Sequence, residues 1–466
     1  MIARWRIGGA QLGGGSPSPY HTHPSYVRIH SMSWCAIDFG TSNSGVAVPA
    51  ADGAATLVAV EEGWPTMPSA VFWFTDEDEA ATLPGVQQVP GALPRAYGRA
   101  AIRAYVEGAG GRLMRSLKSI LGSALADQAT DLGEGHAVRY LDTVTGYLRH
   151  LRQLAESACG RPLERAVLGR PVFFVDDDPQ RDALAQATLE KAARAAGFAQ
   201  VRFQFEPIAA ALDYERGIGR EERVLVADIG GGTSDFSLVR VGPSRRERTD
   251  RRDDILASHG VHVAGTDFDR RIELAAVMPP LGLGARGPQA HGAREVPSAI
   301  YHDLSTWHLI NTCYRPQRVA ELRAIAEWYA QPVLHRRLMH VLDARLGHEL
   351  AARSEAAKIE AASAGRTRID LSCVEPGLAS ALDEAQALHA LEGDIERIAD
   401  AARHTVREAG VDASTVDALY FTGGSTGLAP LTQRLAAAFP QARPVHGDRL
   451  ASVANGLGVF AARVFG

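Results

Sequence analysis

The sequence lacks the features that define several classes of protein. Only four of its 466 residues are cysteines, and Cys35, Cys159, Cys313 and Cys373 form no C-x-x-C pair, so neither a disulfide framework nor a cysteine zinc site is indicated. No apolar run reaches the roughly 18 residues that a membrane-spanning helix needs. The net charge of −5 provides no basic field for nucleic acid or anionic lipid. We therefore expect a cytoplasmic protein that binds neither nucleic acid nor membrane.

Aromatic residues are also scarce, at 7%, although hydrophobic residues together reach 46% and charged residues 22%. This balance is typical of a globular protein and excludes disorder over the whole length. A chain of 466 residues is too long for one ordinary core, so the length predicts two domains or two similar lobes.

The first 31 residues differ from the rest of the chain. They are rich in glycine, serine and proline between Gly13 and Pro19, and they show no amphipathic period. We predict a flexible tail over residues 1–31, in which His21 and His23 are solvated rather than bound to a metal. Met32 precedes the first strand-like run and is an alternative start of translation.

A strand, a turn that begins Asp-x-Gly and a second strand occur twice in the sequence. The first unit has its turn at residues 38–45 and the second at residues 228–235, 190 residues later. Each turn is flanked by short apolar runs of the kind that form buried strands. The recurrence predicts two related lobes, each of which opens with a β-hairpin.

These turns have the chemistry of a phosphate site. Glycine lets main-chain amides approach an anion closely, neighbouring hydroxyl groups add hydrogen-bond donors, and an aspartate at a strand end can hold Mg²⁺. One such turn is a weak signal, but two facing turns would hold the phosphates of a nucleotide from both sides. A third glycine turn, at residues 423–426, supplies a surface for the nucleoside. The chain has no Gly-Lys-Ser/Thr signature, which argues against a P-loop.

The motifs, in this order, resemble those of the superfamily of ATPases that contains actin, hexokinase and heat shock protein 70. They are most similar to the nucleotide-binding domain of the heat shock protein 70 family. The segments that carry the resemblance are residues 38–44, 206–212, 228–235 and 423–426. The resemblance covers roughly residues 33–466. It implies an α/β, two-lobed actin-like fold in which each lobe is a ribonuclease-H-like mixed five-stranded sheet flanked by helices, with a helical tip on the second lobe.

The resemblance also implies roles for individual residues. Lys118 would meet the γ-phosphate and the attacking water, Glu206 would orient that water, and Asp235 would place the nucleophile or a cation. Asp38 and Asp228 would position hydrated Mg²⁺. The resemblance assigns Asp228 to the catalytic residues as well. The residues that would bind ATP or ADP come from the three turns and one helix: Gly40, Thr41, Ser42, Asn43, Gly230, Gly231, Gly232, Thr233, Glu355, Lys358, Gly423, Gly424 and Ser425.

Two positions depart from the pattern of the family on the adenine side. The adenosine-binding helix of the family has an arginine after its lysine, where this chain has Ile359. The glycine turn of the family continues with another arginine, where this chain has Gly427. In the family these two guanidinium groups flank the adenine, and each contributes about 1 kcal/mol or more of stacking. The sequence therefore leaves the selectivity for adenine open.

The resemblance divides the chain into a first lobe at residues 32–221, a second lobe at 222–446 and a C-terminal helix at 447–466 that packs back on the first lobe. The chain ends soon after that helix, so we expect no peptide-binding domain, as in the YegD-type subgroup of chaperone-like proteins. The second lobe includes an insertion at about 278–364 that is rich in aromatic and arginine residues. Such residues either anchor a protein partner or form the core of an ordinary helical subdomain.

The function that this resemblance implies is slow, Mg²⁺-dependent hydrolysis of ATP in a chaperone-like protein. The nucleotide would close the two lobes, and hydrolysis or release would open them. Two alternatives remain. A small-molecule kinase of the same superfamily would transfer the phosphate to an acceptor, and a scaffold would bind the nucleotide without hydrolysing it.

Overall fold

The computed structural model describes residues 33–50, 54–133, 135–175, 178–289 and 293–466. The predicted tail at residues 1–31, with His21 and His23, lies outside these ranges, as does Met32. The strands of the described residues are, in chain order, β1 (Trp34–Phe39), β2 (Asn43–Pro49), β3 (Ala55–Leu57), β4 (Thr66–Pro68), β5 (Ala70–Phe74), β6 (Val86–Val89), β7 (Ala92–Tyr97), β8 (Gly111–Arg115), β9 (Ala129–Gly133), β10 (His136–Arg139), β11 (Arg165–Arg170), β12 (Gln200–Phe205), β13 (Glu222–Ile229), β14 (Ser234–Val241), β15 (Ile255–Val261), β16 (Arg366–Asp370), β17 (Ala379–Asp383), β18 (Ala418–Thr422) and β19 (Arg443–His446).

Two main sheets share one topology, and each forms the centre of a lobe. The order is β12-β11-β1-β2-β3 in the first lobe and β15-β14-β13-β18-β19 in the second. In both, a hairpin pairs on one side with an antiparallel edge strand and on the other with two parallel strands. The predicted α/β, two-lobed actin-like fold is therefore confirmed. The first sheet has a sixth strand, because β4 also pairs with β2.

Smaller sheets extend the lobes. In the first lobe, β6-β7-β5-β8 forms an antiparallel sheet and β9 pairs with β10, while in the second lobe β16 pairs with β17. The α-helices of the described residues are α1 (Glu77–Thr82), α2 (Gly98–Glu107), α3 (Tyr140–Cys159), α4 (Pro179–Ala195), α5 (Glu206–Gly217), α6 (Gly265–Ile272), α7 (Ala299–Leu304), α8 (Pro316–Ala324), α9 (Pro332–Asp343), α10 (Gly347–Ala364), α11 (Glu384–Glu408), α12 (Ala429–Ala438) and α13 (Ser452–Phe465). Within the described ranges, none of these helices is long and apolar enough to cross a membrane.

Proline sets the start of several helices. Helix α5 begins at Glu206 with Pro207 in its first turn, where the fixed φ of proline suits the helix and its missing N–H costs nothing. In the insertion, helices α8 and α9 also have proline in their first turn. The second half of the insertion, residues 316–364, is therefore divided into three helices, α8, α9 and α10.

Helices α5 and α13 pack together between the two main sheets. One buried cluster contains Trp34 of β1, Ile208 of α5, Val226 of β13, and Leu457 and Phe460 of α13. Burial of each large side chain of this kind contributes about 1.5–3 kcal/mol. Because the cluster takes residues from both lobes, it fixes the lobes to each other at the base of the cleft.

A glycine determines how closely the two helices approach. A Cβ atom on Gly456 of α13 would collide with the carbonyl group of Ala209 of α5. Only glycine permits this contact, in which the backbone of one helix rests on the other. The contact holds α5 in place, and the first residue of α5, Glu206, lies in the candidate site.

Candidate functional site

The first acidic turn joins β1 to β2. Asp38 is partly buried in β1 and lies opposite Gly45, and the turn between the strands contains Gly40. A Cβ atom on Gly40 would collide with the carbonyl oxygen of Asn43, so the turn needs glycine at this position. Ser69 fixes the turn from behind, since its hydroxyl donates to the Gly40 carbonyl at 2.6 Å and its amide donates to the Ser42 carbonyl at 2.9 Å.

The second acidic turn joins β13 to β14 in the same way. Asp228 of β13 pairs across the hairpin with Asp235 of β14. The Thr233 hydroxyl donates to Asp235 at 2.8 Å, and the Gly230 amide donates to the Thr233 carbonyl at 3.0 Å. The turn is therefore closed by its own hydrogen bonds, with two carboxyl groups side by side beneath it.

Two hydroxyl groups hold the carbonyl oxygens of the second turn. Ser425 donates to the Gly230 carbonyl at 2.7 Å, and Thr266 donates to the Gly231 carbonyl at 2.8 Å through its hydroxyl and also through its amide. Because these partners engage the carbonyl oxygens from outside the turn, they fix its backbone in one conformation. A fixed backbone presents its amides to an anion without a reorganisation cost.

The two acidic turns face each other across the cleft between the lobes. A Cβ atom placed on Gly231 would lie 3.0 Å from the Ser42 hydroxyl oxygen. The side chain of Asp38 is close enough to that of Asp228 for the charge of Asp228 to raise its pKa. The sequence-predicted residues Gly40, Thr41, Ser42 and Asn43 and their counterparts Gly230, Gly231, Gly232 and Thr233 are thus brought to one crevice.

The third glycine turn follows β18 and lies against the second. Thr422 is in register with Asp228, because β18 runs parallel to β13. Gly423 has a φ of 86°, which glycine adopts readily, and a Cβ atom there would lie 2.7 Å from a carboxylate oxygen of Asp228. The predicted residues Gly423, Gly424 and Ser425 therefore border the acidic crevice on the side of the second lobe.

Lys118 and Glu206 meet in the same crevice. The Lys118 ammonium donates to the Glu206 carboxylate at 2.5 Å, and both side chains are largely buried. Lys118 lies in a 3₁₀ turn, Leu117–Ile120, which follows Ser116 at a positive φ of 54°. A non-glycine residue in this conformation is held there by its surroundings at a cost of about 1–3 kcal/mol. The strained residue is two positions before the lysine.

The carboxyl groups of the crevice repel one another. Burial raises the pKa of Asp38 to about 8, and the charges of Glu206 and Asp228 add to this effect against that of Lys118. Burial, followed by the charges of Asp235 and Glu206, raises the pKa of Asp228 to about 7. The pKa of Asp235 is also raised, chiefly by burial.

The single ammonium group is strongly held in its charged form. Burial alone would lower the pKa of Lys118, but the charges of Glu206, Asp38 and Asp235 outweigh it, so the pKa is raised. The balance of the crevice is nevertheless four carboxyl groups to one lysine. Carboxylate oxygens are the ligands that Mg²⁺ prefers, and a divalent cation would favour the ionised form of these carboxyl groups and relieve their mutual repulsion. The residues therefore fit such a cation, which Asp38 and Asp228 would hold.

The predicted residues of the adenosine-binding helix lie on α10. Glu355 is exposed, and the ammonium of Lys358 pairs with the Asp269 carboxylate of α6 at 2.6 Å. Helix α6 begins beside the third turn, since a Cβ atom on Gly265 would lie 2.5 Å from the Ser425 hydroxyl oxygen. Helix α6 therefore connects α10 to the glycine turns.

An arginine that the sequence motifs did not indicate lies beside the third glycine turn. A Cβ atom on Gly427 would lie 2.9 Å from a guanidinium nitrogen of Arg449. Arg449 is exposed, and its neighbour Leu450 lies 3.7 Å from the Cβ position of Gly424. Arg449 stands 22 residues after Gly427 in the sequence, in a loop after β19, so no motif or spacing indicated it. A guanidinium from another loop therefore lies beside position 427, where the family has its own arginine.

A second contact between the lobes lies at the tip of the cleft. Trp307 of the insertion stacks on Tyr105 of the first lobe, with ring centroids 5.0 Å apart, and the Arg115 guanidinium lies 4.2 Å above the Trp307 ring. His348 meets the Trp307 ring edge-on at 5.1 Å and shares a 3.2 Å hydrogen bond with Asn311. We call these five residues the aromatic clasp.

The geometry places this chain among the two-lobed, actin-like proteins that have an acidic crevice between duplicated sheets. The sequence model of the Hsp70 protein family matches residues 35–274, which is just over half of the chain. The chain belongs to the Hsp70 family.

Named relatives support this assignment. The chaperone protein HscA homolog of Laribacter hongkongensis is 33% identical over 256 residues, which are 51% of this chain and 36% of that protein. The HscA homolog of an Azoarcus species is 31% identical over 287 residues, 56% of this chain and 41% of that protein. The chaperone protein DnaK of Thermosipho melanesiensis is 32% identical over 240 residues, 51% of this chain and 34% of that protein. The chain spans only about a third to two fifths of the length of these relatives.

Proposed function

We propose that this protein binds ATP with Mg²⁺ in the crevice between its lobes and hydrolyses it slowly. The observation that carries the proposal is the meeting of Asp38 and Asp228, from the two duplicated hairpins, in one crevice with Lys118 and Glu206. Facing glycine turns suit a triphosphate, and the excess of carboxyl groups suits its metal ion. The Mg²⁺ ion would neutralise phosphate charge and orient the phosphate groups.

The residues of the chain have separate tasks in this proposal. Thr41 and Ser42 donate hydrogen bonds to phosphate oxygens through their hydroxyl groups, together with the amides of the turns. Thr233 contributes through its amide, because its hydroxyl donates to Asp235. Lys118 stabilises the negative charge that develops on the transferred phosphoryl group. Glu206, held by Lys118, orients the attacking water, and Asp235 accepts a hydrogen bond from Thr233 that fixes the turn.

The names of the relatives extend the proposal to a chaperone-like role in which the nucleotide opens and closes the lobes. The resemblance to the YegD-type subgroup and the partner expected at the insertion stay predictions. Trp328 of the insertion, 51% exposed, is the candidate anchor for such a partner. The four cysteines are free thiols, which agrees with the proposed cytoplasmic location.

Calorimetry of nucleotide binding tests the proposal and its proton balance. The pKa of Asp38, about 8, and that of Asp228, about 7, mean that the two carboxyl groups together hold more than one proton near neutral pH. A divalent cation favours the carboxylate forms, so binding of ATP with Mg²⁺ is expected to release about one proton, and affinity is expected to rise between about pH 6 and 8. Titrations in buffers of different ionisation enthalpy measure this release.

Comparison of ATP, ADP and GTP in the same titrations measures selectivity for the base. The Asp38→Asn variant should release fewer protons, whereas Asp127→Asn, at an exposed position of the first lobe, should match the parent. No heat of binding with any of the three nucleotides would contradict the proposed function. Transfer of phosphate to an added sugar, instead of release as inorganic phosphate, would favour the kinase alternative.

Arg449 is expected to determine affinity for the base. Because its guanidinium lies beside Gly427 on the adenine side, the Arg449→Ala variant should bind ATP about three- to tenfold more weakly, with no change for tripolyphosphate. The double variant Gly427→Arg, Arg449→Ala returns an arginine to the same space and should recover affinity. Equal losses for ATP and tripolyphosphate would instead place Arg449 with the phosphates.

The aromatic clasp is expected to slow the release of nucleotide. Replacement of Trp307 by alanine removes its stacking on Tyr105 and the cation–π contact with Arg115. The two contacts together contribute about 1–2.5 kcal/mol, so the dissociation rate of a fluorescent ADP analogue should rise about 5- to 70-fold. Trp328→Ala, at an exposed tryptophan of the same insertion, is the matched control. An unchanged rate in Trp307→Ala would show that the clasp does not limit opening.

A further inference from the structure

We propose that His259, His404 and Glu408 form a binding site for a transition-metal ion of the Zn²⁺ class on the outer side of the second lobe. One ligand atom from each of the three side chains can be chosen such that all lie within 4.8 Å of one another. Two imidazoles and one carboxylate make a donor set that suits Zn²⁺, with water completing the coordination. The site is separate from the acidic crevice.

Two elements supply the three side chains. His259 lies in β15, the edge strand of the second sheet, opposite Phe236 of β14. His404 and Glu408 lie four residues apart in the last turns of α11, a spacing that puts both on one face of the helix. A metal ion here would therefore join the edge strand to the helix that covers it.

The rings already approach as ligands of one ion would. The centroids of His259 and His404 are 4.6 Å apart with the rings nearly perpendicular, and a ring nitrogen of His404 lies 3.8 Å from a Glu408 carboxylate oxygen. Ligand atoms of a tetrahedral zinc ion are about 3.3 Å apart, given metal–ligand distances of about 2.0–2.1 Å. The side chains of His404 and Glu408 are 46% and 47% exposed, so they are free to rotate by the small amount required and leave an entry for the ion and its water.

The position of β15 connects this site to the crevice. Gly260 follows His259, and a Cβ atom on Gly260 would lie 2.5 Å from a carboxylate oxygen of Asp235. The strand that would hold the metal therefore also packs against a residue of the proposed catalytic set. The link between the metal site and a catalytic residue rests on the proposed function, whereas metal binding itself does not.

Titration of the full-length chain with Zn²⁺ tests the proposal. The background variant carries alanine at His21, His23 and His30, so that the histidines of the N-terminal segment do not contribute. We expect this background to bind one equivalent of Zn²⁺ in competition with a chromophoric chelator, and to give visible absorption bands of tetrahedral Co²⁺. The His404→Gln and Glu408→Gln variants should no longer bind this equivalent of Zn²⁺.

The same helix offers a matched control. His389 of α11 is exposed and lies well away from the site, so His389→Gln should keep the equivalent and the Co²⁺ bands. Zn²⁺ should raise the melting temperature of the background and of His389→Gln but not that of His404→Gln. If His404→Gln and Glu408→Gln, shown to be folded by circular dichroism, titrate like the background, the proposal is overturned. Absence of a bound equivalent in the background would overturn it as well. The calorimetry of ATP is independent of both results.

Discussion

The Lys118→Ala variant is expected to hydrolyse ATP about 10²–10³-fold more slowly than the parent, which is the usual loss when one preorganised electrostatic partner of a transition state is removed. Lys118 is the one ammonium group in a crevice of four carboxyl groups, and it pairs with Glu206 at 2.5 Å. Without it, neither the developing phosphoryl charge nor the position of Glu206 is controlled. Steady-state release of phosphate measures the effect.

Binding measurements separate this chemical role from a structural one. Lys118 is assigned to the γ-phosphate, so the affinity for ADP should stay within about threefold of the parent. Lys191→Ala is the matched control. The Lys191 side chain is 68% exposed, and its ammonium forms only a weak ion pair with the Asp127 carboxylate, at a distance of 4.0 Å. A Lys118→Ala variant that hydrolyses ATP at the parental rate would refute the catalytic assignment.

The Arg251→Ala variant is expected to lose about 3–5 kcal/mol of stability, because removal of one partner from a buried ion pair leaves the charge of Glu215 uncompensated. Asp254, in contrast, keeps Arg245 as a partner. The side chains of Arg251, Glu215 and Asp254 are each only 1% exposed. Arg251 donates to both carboxylate oxygens of Glu215, at 2.9 and 3.1 Å, and also pairs with Asp254. Urea unfolding followed by tryptophan fluorescence and circular dichroism measures the loss.

The Arg251→Ala substitution should also affect the acidic crevice. Glu215 lies near the end of α5, whose first residue is Glu206, so the network anchors the helix that positions the predicted catalytic acid. Arg139→Ala removes a salt bridge to Asp142 in which the arginine is 61% exposed, and it should leave the unfolding midpoint nearly unchanged. If Arg251→Ala unfolds at the same urea concentration as Arg139→Ala, the buried network does not stabilise the fold.

The duplicated hairpins could be predicted from the sequence because their signal is local. Each consists of an apolar run, an Asp-x-Gly turn and a second apolar run, and the periodicity of strands and the chemistry of glycine act over a few residues. This local signal locates the turns at Asp38 and Asp228. Its repetition predicts that each of the two sheets contains a hairpin of the same kind. The start of helix α5 is local in the same way, because Pro207 favours the first turn of a helix.

Features that depend on distant contacts could not be predicted. Arg449 meets Gly427 only because the loops after β18 and β19 end at the same edge of a parallel pair of strands. The extra strand β4 pairs with β2 without an apolar alternation of its own, and the stacking of Trp307 on Tyr105 joins residues about 200 positions apart. Burial of Arg251 with two acids has no sequence signature, since charged residues usually indicate a solvated surface.

Hairpins from the two lobes are expected to hold one metal-bound triphosphate between them, and a crystal structure with Mg²⁺ and a non-hydrolysable ATP analogue would show whether they do. We predict that residues 40–43 and residues 230–233 both contact the phosphates, with the cation held by Asp38 and Asp228. A triphosphate bound by one hairpin alone, or bound outside the crevice, would refute shared binding by the two hairpins.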